Sequence, residues 1–177
     1  MKDSYKANFL WKSLAFWLVF MILYGAYKFF PVFPLSLICC VTESNFQHYK
    51  AGFFSYLIVS LIEYGWCRRK ISDRDSFLYS RIAATIFLPW IIFLLWYIAP
   101  ALIVRWPNNV YEIVYANIIV LIVGVFTVIL EAGLERIPYE RSIKTVLIVL
   151  FLVSILLYIV FTFRLPWADV FVEPDWR

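Results

Sequence analysis

The residues best suited to chemistry lie in one polar stretch, T-E-S-N-F-Q-H-Y-K at positions 42–50. It holds the chain's single histidine, His48, with Lys50 two residues later and Glu43 five residues earlier. The first turn of a helix that carries a histidine and a lysine can bind an anion. A glutamate and a histidine that lie side by side can also serve as an acid–base pair in catalysis. The simpler alternative is an interfacial helix cap whose polar groups are satisfied by head groups and water, and the sequence leaves both open.

A helix start at Ser44 is predicted from Ser44 and Gln47, which form a capping-box pattern. At 100° per residue, polar and small side chains then fall on one narrow face of that helix. This face carries His48, Gly52, Ser55, Val59 and Glu63. The rest of the helix is Phe, Leu, Ile and Val, so we expect the polar face to point into a helix bundle.

A second polar face is predicted further along, where Asn117, Gly124 and Glu131 are spaced seven residues apart. It indicates either close helix packing through the glycine or a polar line that faces a cavity. Glu63 and Glu131 both lie near one predicted membrane boundary. They either form ion pairs with nearby cations or relay protons or cations between them. The cations near them in sequence or across a loop are Arg68, Arg69, Arg81 and Arg136.

Two prolines mark the third apolar segment, Pro89 near its middle and Pro100 near its end. A proline inside a helix removes one backbone hydrogen bond and kinks the helix. The kink would open space between helices, so that Trp90, Trp96 and Tyr97 either line a pocket or face lipid as interfacial anchors.

The composition of the chain indicates a protein embedded in a lipid bilayer. Of the 177 residues, 64% are hydrophobic and only 16% are charged, and the mean hydropathy is +0.82. A soluble domain is about one quarter charged, so this chain has too few polar groups to cover a surface in water. The net charge of +4 does not indicate nucleic-acid binding, because the basic residues flank apolar segments and form no continuous face.

We therefore predict an all-α polytopic membrane helix bundle, a single domain over residues 1–177. Its five transmembrane helices are predicted at about 9–30, 45–66, 81–104, 111–131 and 143–163. A broken apolar loop, 31–44, is expected at the outer face. With the N-terminus in the cytoplasm and the C-terminus outside, 11 Lys and Arg lie on the inner side and 5 on the outer. This bias follows the positive-inside rule, and we expect the plasma membrane of a bacterium or archaeon.

No cofactor or metal site is expected. Cys39 and Cys40 are adjacent, Cys67 lies across the predicted membrane, and the spacing contains no C-x-x-C motif. Adjacent cysteines rarely bridge because the geometry is strained, so we predict three free thiols. One histidine is too few for a usual zinc site.

The polar stretch and the end of its helix resemble a family of small uncharacterised bacterial membrane proteins. That family carries N-E-S-V-W-E-H-L-K, then a helix ending I-E-Y, and later F-T-Y, a proline-rich turn and L-F-x-D-P. This chain has T-E-S-N-F-Q-H-Y-K at 42–50, L-I-E-Y at 61–64, F-T-F at 161–163, Pro166 and V-F-V-E-P at 170–174. The resemblance implies a membrane bundle and places the site at Glu43, Ser44, His48, Lys50, Glu63, Tyr64 and Pro174.

The chain departs from that family at Thr42, Phe46 and Gln47, where the family has Asn, Trp and Glu. The missing acid at Gln47 weakens a mechanism that needs two carboxylates beside His48. The family has no established activity, so the resemblance implies the position of a site and not its reaction.

The outer side of the predicted bundle also receives the turn at Arg105 and the tail with Trp167 and Asp169. The predicted ligand-binding set is Glu43, Ser44, Asn45, His48, Lys50, Glu63, Tyr64, Arg105, Asn117 and Asp169, with Glu43 and His48 as candidate catalytic residues.

Three functions remain open from the sequence. The first is binding or transport of a small amphipathic or anionic molecule through an outward-facing pocket within the membrane. The second is an enzyme that acts on a lipid or prenyl-type substrate through Glu43 and His48. The third is an accessory subunit of a membrane complex. The expected partners are the lipid bilayer, a small-molecule or lipid ligand, and further copies of the chain or a larger complex, with no nucleic acid.

Overall fold

The fold is helical throughout the part of the chain that the computed structural model describes, residues 8–102 and 109–172. Those residues contain no strand. In chain order the helices are α1 (Phe9–Phe29), α2 (Phe33–Ser36), α3 (Asn45–Cys67), α4 (Arg74–Trp96), α5 (Ile98–Leu102), α6 (Asn109–Leu134) and α7 (Arg141–Phe163), followed by a 3-10 turn at Asp169–Phe171. The all-α prediction is confirmed.

Four of these helices, α1, α4, α6 and α7, are long and apolar enough to cross a membrane. The helix α3 has 23 residues but is less apolar, because it carries the polar stretch and Glu63. Thirteen of its residues are nevertheless buried. In α7, by contrast, only Leu147 is buried. The polar residues of α3 are therefore covered by protein, while α7 lies at the rim of the bundle.

The long helices run in alternating directions. Contacts join α3 to α1 and α4, and α6 to α1 and α4. At one end of the bundle Lys12 near the start of α1 meets Glu63 near the end of α3. Arg81 in the second turn of α4 meets Glu131 near the end of α6. Each helix therefore traverses the length of the bundle opposite to its predecessor.

The helix α7 joins this pattern through contacts at both of its ends. Lys144 in its first turn donates a hydrogen bond to Asp75 in the first turn of α4. In its last turn, Thr162 accepts a hydrogen bond from Lys50 in α3 over 3.0 Å. The N-terminus of α7 thus lies at the end of the bundle where α4 begins.

The third predicted segment, 81–104, differs from the structure at both limits. The helix α4 begins at Arg74 because Asp73 caps it, accepting hydrogen bonds from the backbone N–H groups of Asp75 (3.0 Å) and Ser76 (3.2 Å). The sequence predicted a loop here because residues 74 and 75 are both charged.

The helix α4 ends at Trp96, and the chain becomes helical again as α5 after Tyr97. Pro100 has no N–H to donate to the carbonyl of residue 96, which accounts for the break. Residues 103–104 lie outside the described ranges.

The start of α3 agrees with the predicted N-cap at Ser44, but the capping-box hydrogen bonds do not form. The Gln47 side chain is buried and turns back to the preceding loop instead, where its Oε1 accepts a hydrogen bond from the N–H of Val41 over 3.3 Å.

The loop 31–44, which contains α2, is held to α1 by a hydrogen bond of 3.2 Å from the N–H of Cys40 to the carbonyl of Leu23. An apolar broken segment can remain inside a bundle only with its backbone groups paired in this way.

Close contact between α1 and α6 depends on Gly124. A Cβ atom at this position would lie 2.8 Å from Cδ1 of Phe16, a fully buried ring, and 3.5 Å from the carbonyl oxygen of Ser13. A Cβ at Gly133, nine residues later in the same helix, would meet no atom within 4 Å. The two glycines provide a matched pair for testing the packing.

We expect Gly124→Ala to lower the free energy of unfolding by about 1–3 kcal/mol, because the added methyl group forces Phe16 out of place. Gly133→Ala should leave stability unchanged or raise it by up to about 1 kcal/mol through helix propensity. Thermal unfolding of both variants in detergent measures the difference. Equal melting temperatures for the two variants would contradict the packing of α6 on α1.

Candidate functional site

At the end of the bundle where α1 begins, four charged side chains from four helices form one buried network. Lys12 donates to both carboxylate oxygens of Glu131 (2.6 and 2.7 Å) and to Glu63. Arg81 reaches both acids, at 3.2 Å from Glu63 Oε1 and 3.3 Å from Glu131 Oε1. The side chains of all four are at least nine-tenths buried.

Two further groups complete this network. The hydroxyl of the fully buried Tyr56 donates to Glu131 over 2.7 Å. Glu135, one turn beyond Glu131, accepts from Arg81 at the rim of the network, where its side chain is 28% exposed. Two buried cations thus oppose two buried anions, which is the condition for keeping charges out of water.

The network matches the ion-pairing alternative for Glu63 and Glu131. The sequence indicated Arg81 as a partner but missed Lys12, which is 51 residues from Glu63 and 119 from Glu131. A lysine in the first turn of an otherwise apolar helix is the signal that pointed to it. The same position also fits a lysine at the membrane surface, so the sequence alone does not decide.

We expect Glu131→Gln to lower the free energy of unfolding by about 3–5 kcal/mol, because it leaves a buried cation without its counter-charge. Glu135→Gln removes an acid that binds the same arginine from a partly exposed position, and should cost less than about 1 kcal/mol. Thermal unfolding of the two variants in detergent tests this. A Glu131→Gln variant as stable as Glu135→Gln would show that the network does not hold the helices together.

At the opposite end of the bundle, Glu43 organises a second polar group. Its carboxylate accepts hydrogen bonds from Lys28 and, over 2.9 Å, from the hydroxyl of Tyr24. The ring of His48 stacks on that of Tyr24, with the centroids 5.5 Å apart. His48 Nε2 lies 3.9 Å from Glu43 Oε2. Glu43 and His48 are thus adjacent but do not share a direct hydrogen bond.

The charge on Glu43 is set by this surrounding. Burial raises the pKa of Glu43, but the hydrogen bonds from Lys28 and Tyr24 outweigh it, so the pKa lies below its usual value. Glu43 is therefore a carboxylate at neutral pH. In the acid–base pair with His48 that the sequence suggested, the Glu43 carboxylate can accept a proton but cannot donate one.

A partly open cavity of about 100 Å³ lies beside this group, between α1, α3, α4 and α6. Its wall is mostly apolar, with Phe20, Ile92 and Val120 among the buried members. Asn45, His48 and Asn117 supply polar atoms to the wall. Ile113 in this wall is 60% exposed, which places the opening of the cavity beside it.

The predicted binding residues do not form one cluster. Asn45, His48 and Asn117 line the cavity, with Glu43 next to it. Ser44 is buried at the N-cap, where its carbonyl oxygen lies 2.9 Å from His48 Nδ1.

Three of the remaining predicted residues lie elsewhere: helical rotation turns Lys50 and Tyr64 away from the cavity, and Glu63 lies at the other end of α3. Lys50 is fully buried and donates to the carbonyl of Ser36 and the hydroxyl of Thr162. Glu63 belongs to the ion network at the far end. Tyr64 is 38% exposed, with its ring 6.0 Å from that of Phe77.

Arg105 and Pro174 lie outside the described residues, and only the backbone of Asp169 is described. Tyr24 and Lys28 were not among the predicted site residues. Their spacing of four residues in the last turns of α1 places them on one face of the helix, which is the signal that pointed to them. Lys28 had been counted only as an outer topology charge.

The aromatic residues near Pro89 line two different cavities. The helix α4 continues through Pro89. Trp90 borders a cavity of about 350 Å³ between α3, α4 and α7 and is also 65% exposed at the surface. Trp96 lines the cavity beside His48, and Tyr97 accepts a hydrogen bond from Asn45 over 3.2 Å.

A third cavity, about 320 Å³, lies along α1 and α3 and reaches Lys12 and Glu63. Neither larger cavity contains the polar group around Glu43.

Comparison with protein-family models, with curated proteins and with solved structures gave no match for this chain. The similarity of residues 42–50 to the uncharacterised bacterial family therefore stays a prediction. Within the described ranges, no group of three His, Cys, Asp or Glu side chains is placed to hold a metal ion. Cys39, Cys40 and Cys67 are free thiols.

Proposed function

We propose that this chain is a multi-pass membrane protein that binds a small amphipathic molecule in the cavity beside His48. The observation that carries the proposal is the composition of that cavity's wall, an apolar surface with the polar atoms of Asn45, His48 and Asn117 in it. Ligand sites are typically concave and apolar, with a few placed polar groups that orient the ligand.

The size of the cavity limits what enters it. An engineered cavity of about 150 Å³ in another protein accommodates benzene, so about 100 Å³ admits a head group and the first few carbons. The remainder of a longer molecule would leave through the opening at Ile113. The proposed ligand is thus a molecule with a small polar head and an apolar tail.

Binding is better supported than transport. The ion network joins α1, α3, α4 and α6 at the end opposite the cavity. Moving a ligand past it requires separating charges that are buried together, which is costly. The cavity therefore serves as a site that opens at one end of the bundle.

We place five helices across the membrane, with α3 as the fifth. Its 23 residues rise about 34 Å at 1.5 Å per residue, enough for a hydrocarbon core of about 30 Å. The helices α1, α4, α6 and α7 shield its polar side chains from lipid.

The loop from Arg68 to Asp73, with three cations, marks the ion-network end as cytoplasmic by the positive-inside rule. The N-terminus then lies inside, in the plasma membrane of a bacterium or archaeon.

Cysteine labelling tests this orientation. Cys67 ends α3 at the proposed cytoplasmic end and is partly exposed. Cys39 and Cys40 are buried, and burial raises the pKa of the Cys40 thiol to about 12, so few thiolates form there. A membrane-impermeant maleimide should therefore label Cys67 in inside-out vesicles and leave right-side-out vesicles unlabelled.

Cys67→Ser is the control, and it should abolish the labelling while Cys39 and Cys40 stay unmodified. Labelling of Cys67 only in right-side-out vesicles would reverse the proposed orientation.

Photolabelling tests the binding function. Three diazirine amphiphiles with one medium-chain tail and a hydroxyl, carboxylate or ammonium head are added to the protein in nanodiscs. At least one should label buried wall residues such as Ile92 and Val120, as located by peptide mass spectrometry. Ala116→Phe, which fills the cavity, should reduce this labelling by about tenfold, the loss of about 1.4 kcal/mol. If none of the three probes labels the wall of the folded protein, the proposed function is wrong.

Ala132→Phe is the matched control for this experiment. It adds the same side chain to an exposed position of the same helix, α6. Labelling of the cavity wall should be unchanged in this variant.

An enzyme is the second candidate, because His48 Nε2 and Glu43 Oε2 lie 3.9 Å apart beside a cavity. His48 would act as the base through Nε2, and the Glu43 carboxylate would stabilise the charged ring that forms. This function predicts that a bound amphiphile is chemically converted. Recovery of the three probes unchanged after incubation in the dark would exclude conversion of these head groups.

A further inference from the structure

The backbone contact of His48 indicates that Nδ1 carries a proton. Nδ1 lies 2.9 Å from the carbonyl oxygen of Ser44. A carbonyl oxygen only accepts, so the hydrogen-bond network assigns the proton to Nδ1. In the neutral ring Nε2 is then an acceptor. Glu43 Oε2 lies 3.9 Å from Nε2, too far for a direct hydrogen bond.

Asn117 presents a second acceptor in the same wall. Its Nδ2 donates to the carbonyl of Ile113 over 2.8 Å, which fixes the orientation of the amide and leaves Oδ1 to accept. Neither Oδ1 of Asn117 nor Nε2 of His48 makes a hydrogen bond to the described residues. Both residues line the cavity.

The wall also contains a buried hydroxyl. Tyr49 lines both this cavity and the larger one beside α7, and it is only 8% exposed. Its hydroxyl neighbours that of Tyr97 but makes no hydrogen bond of good geometry within the described part of the chain. A buried hydroxyl without a partner costs free energy. A ligand that both donates and accepts hydrogen bonds would suit this mixture of groups.

The available acceptors select among head groups. A carboxylate or phosphate offers only acceptors, which would face His48 Nε2 and Asn117 Oδ1 without a proton between them. An ammonium group can donate, but the charge of the nearby Glu43 is already matched by Lys28, so a second cation would enter a half-buried site uncompensated. A hydroxyl donates to an acceptor in the wall and brings no charge.

From these contacts we infer that the cavity selects an amphipathic alcohol, with its hydroxyl hydrogen-bonded to His48 or Asn117 and its hydrocarbon against Phe20 and Ile92. This inference rests on the proposed binding function and specifies its ligand class. It replaces the anionic ligand that the sequence had left open.

Competition against the photolabel tests the inference. Decan-1-ol, decanoate and decylamine share one chain length, and each competes with the diazirine amphiphiles in nanodiscs at neutral pH. Concentrations are expressed per mole of lipid, so that unequal partitioning into the bilayer does not affect the comparison. Decanol should halve the labelling at a concentration about tenfold lower than the other two, since a mismatched head leaves the polar wall groups unpaired.

Variants of the two acceptors locate the selectivity. His48→Phe keeps a ring to stack on Tyr24 but removes Nε2, and Asn117→Leu removes Oδ1. The pair of substitutions together should reduce the preference for decanol to within about threefold, the scale of a single weak hydrogen bond. His48→Gln retains an acceptor and should keep most of the preference.

These experiments distinguish failure of the alcohol assignment from failure of the proposed binding function. If decanoate or decylamine competes as well as decanol, or if the double variant keeps the full preference, the alcohol assignment is wrong while binding stands. If no probe labels the wall in the first place, the binding function itself fails.

Discussion

The structure depends on neutralising two carboxylates away from water. Glu63 and Glu131 are buried among apolar helices, where an isolated charge would cost several kcal/mol even after relaxation. Lys12 and Arg81 each contact both acids. Because the four charges come from α1, α3, α4 and α6, the balance exists only when these helices are in one register. Such a network specifies the arrangement of helices more than it adds to net stability.

The position of α3 follows from the same requirement. It contributes a charge to the network, a buried lysine near its start and the histidine of the cavity, so lipid cannot surround it. The apolar helices α1, α4, α6 and α7 supply the lipid-compatible surface in its place. Hydropathy is therefore divided unequally in this bundle: the least apolar long helix, α3, has most of its residues buried, and the most apolar, α7, lies at the rim.

The two ends of the bundle use polar groups differently. At the ion-network end the cations and anions satisfy one another and leave little capacity for a ligand. Beside the cavity, Lys28 and Glu43 pair with each other, while uncharged acceptors on His48 and Asn117 remain without partners among the described residues. Paired charges suit a structural role, and unpaired neutral acceptors suit recognition of a neutral donor. The proposed site is placed at the cavity for this reason.

The sequence by itself determined the helical class, the approximate limits of most long helices and the N-cap at Ser44. Hydropathy, periodicity and turn residues act locally, over one or two helical turns, so they can be evaluated without the fold. Even so, the start of α4 was missed, because the charges at Arg74 and Asp75 resemble a loop until Asp73 is recognised as a cap. The tertiary structure alone decided that Lys12 joins Glu131 across 119 residues and that Lys50 turns toward α2 and α7. It also decided which of the predicted binding residues line the cavity with His48. Those outcomes depend on the rotation and register of whole helices, which are set by packing between segments distant in the chain.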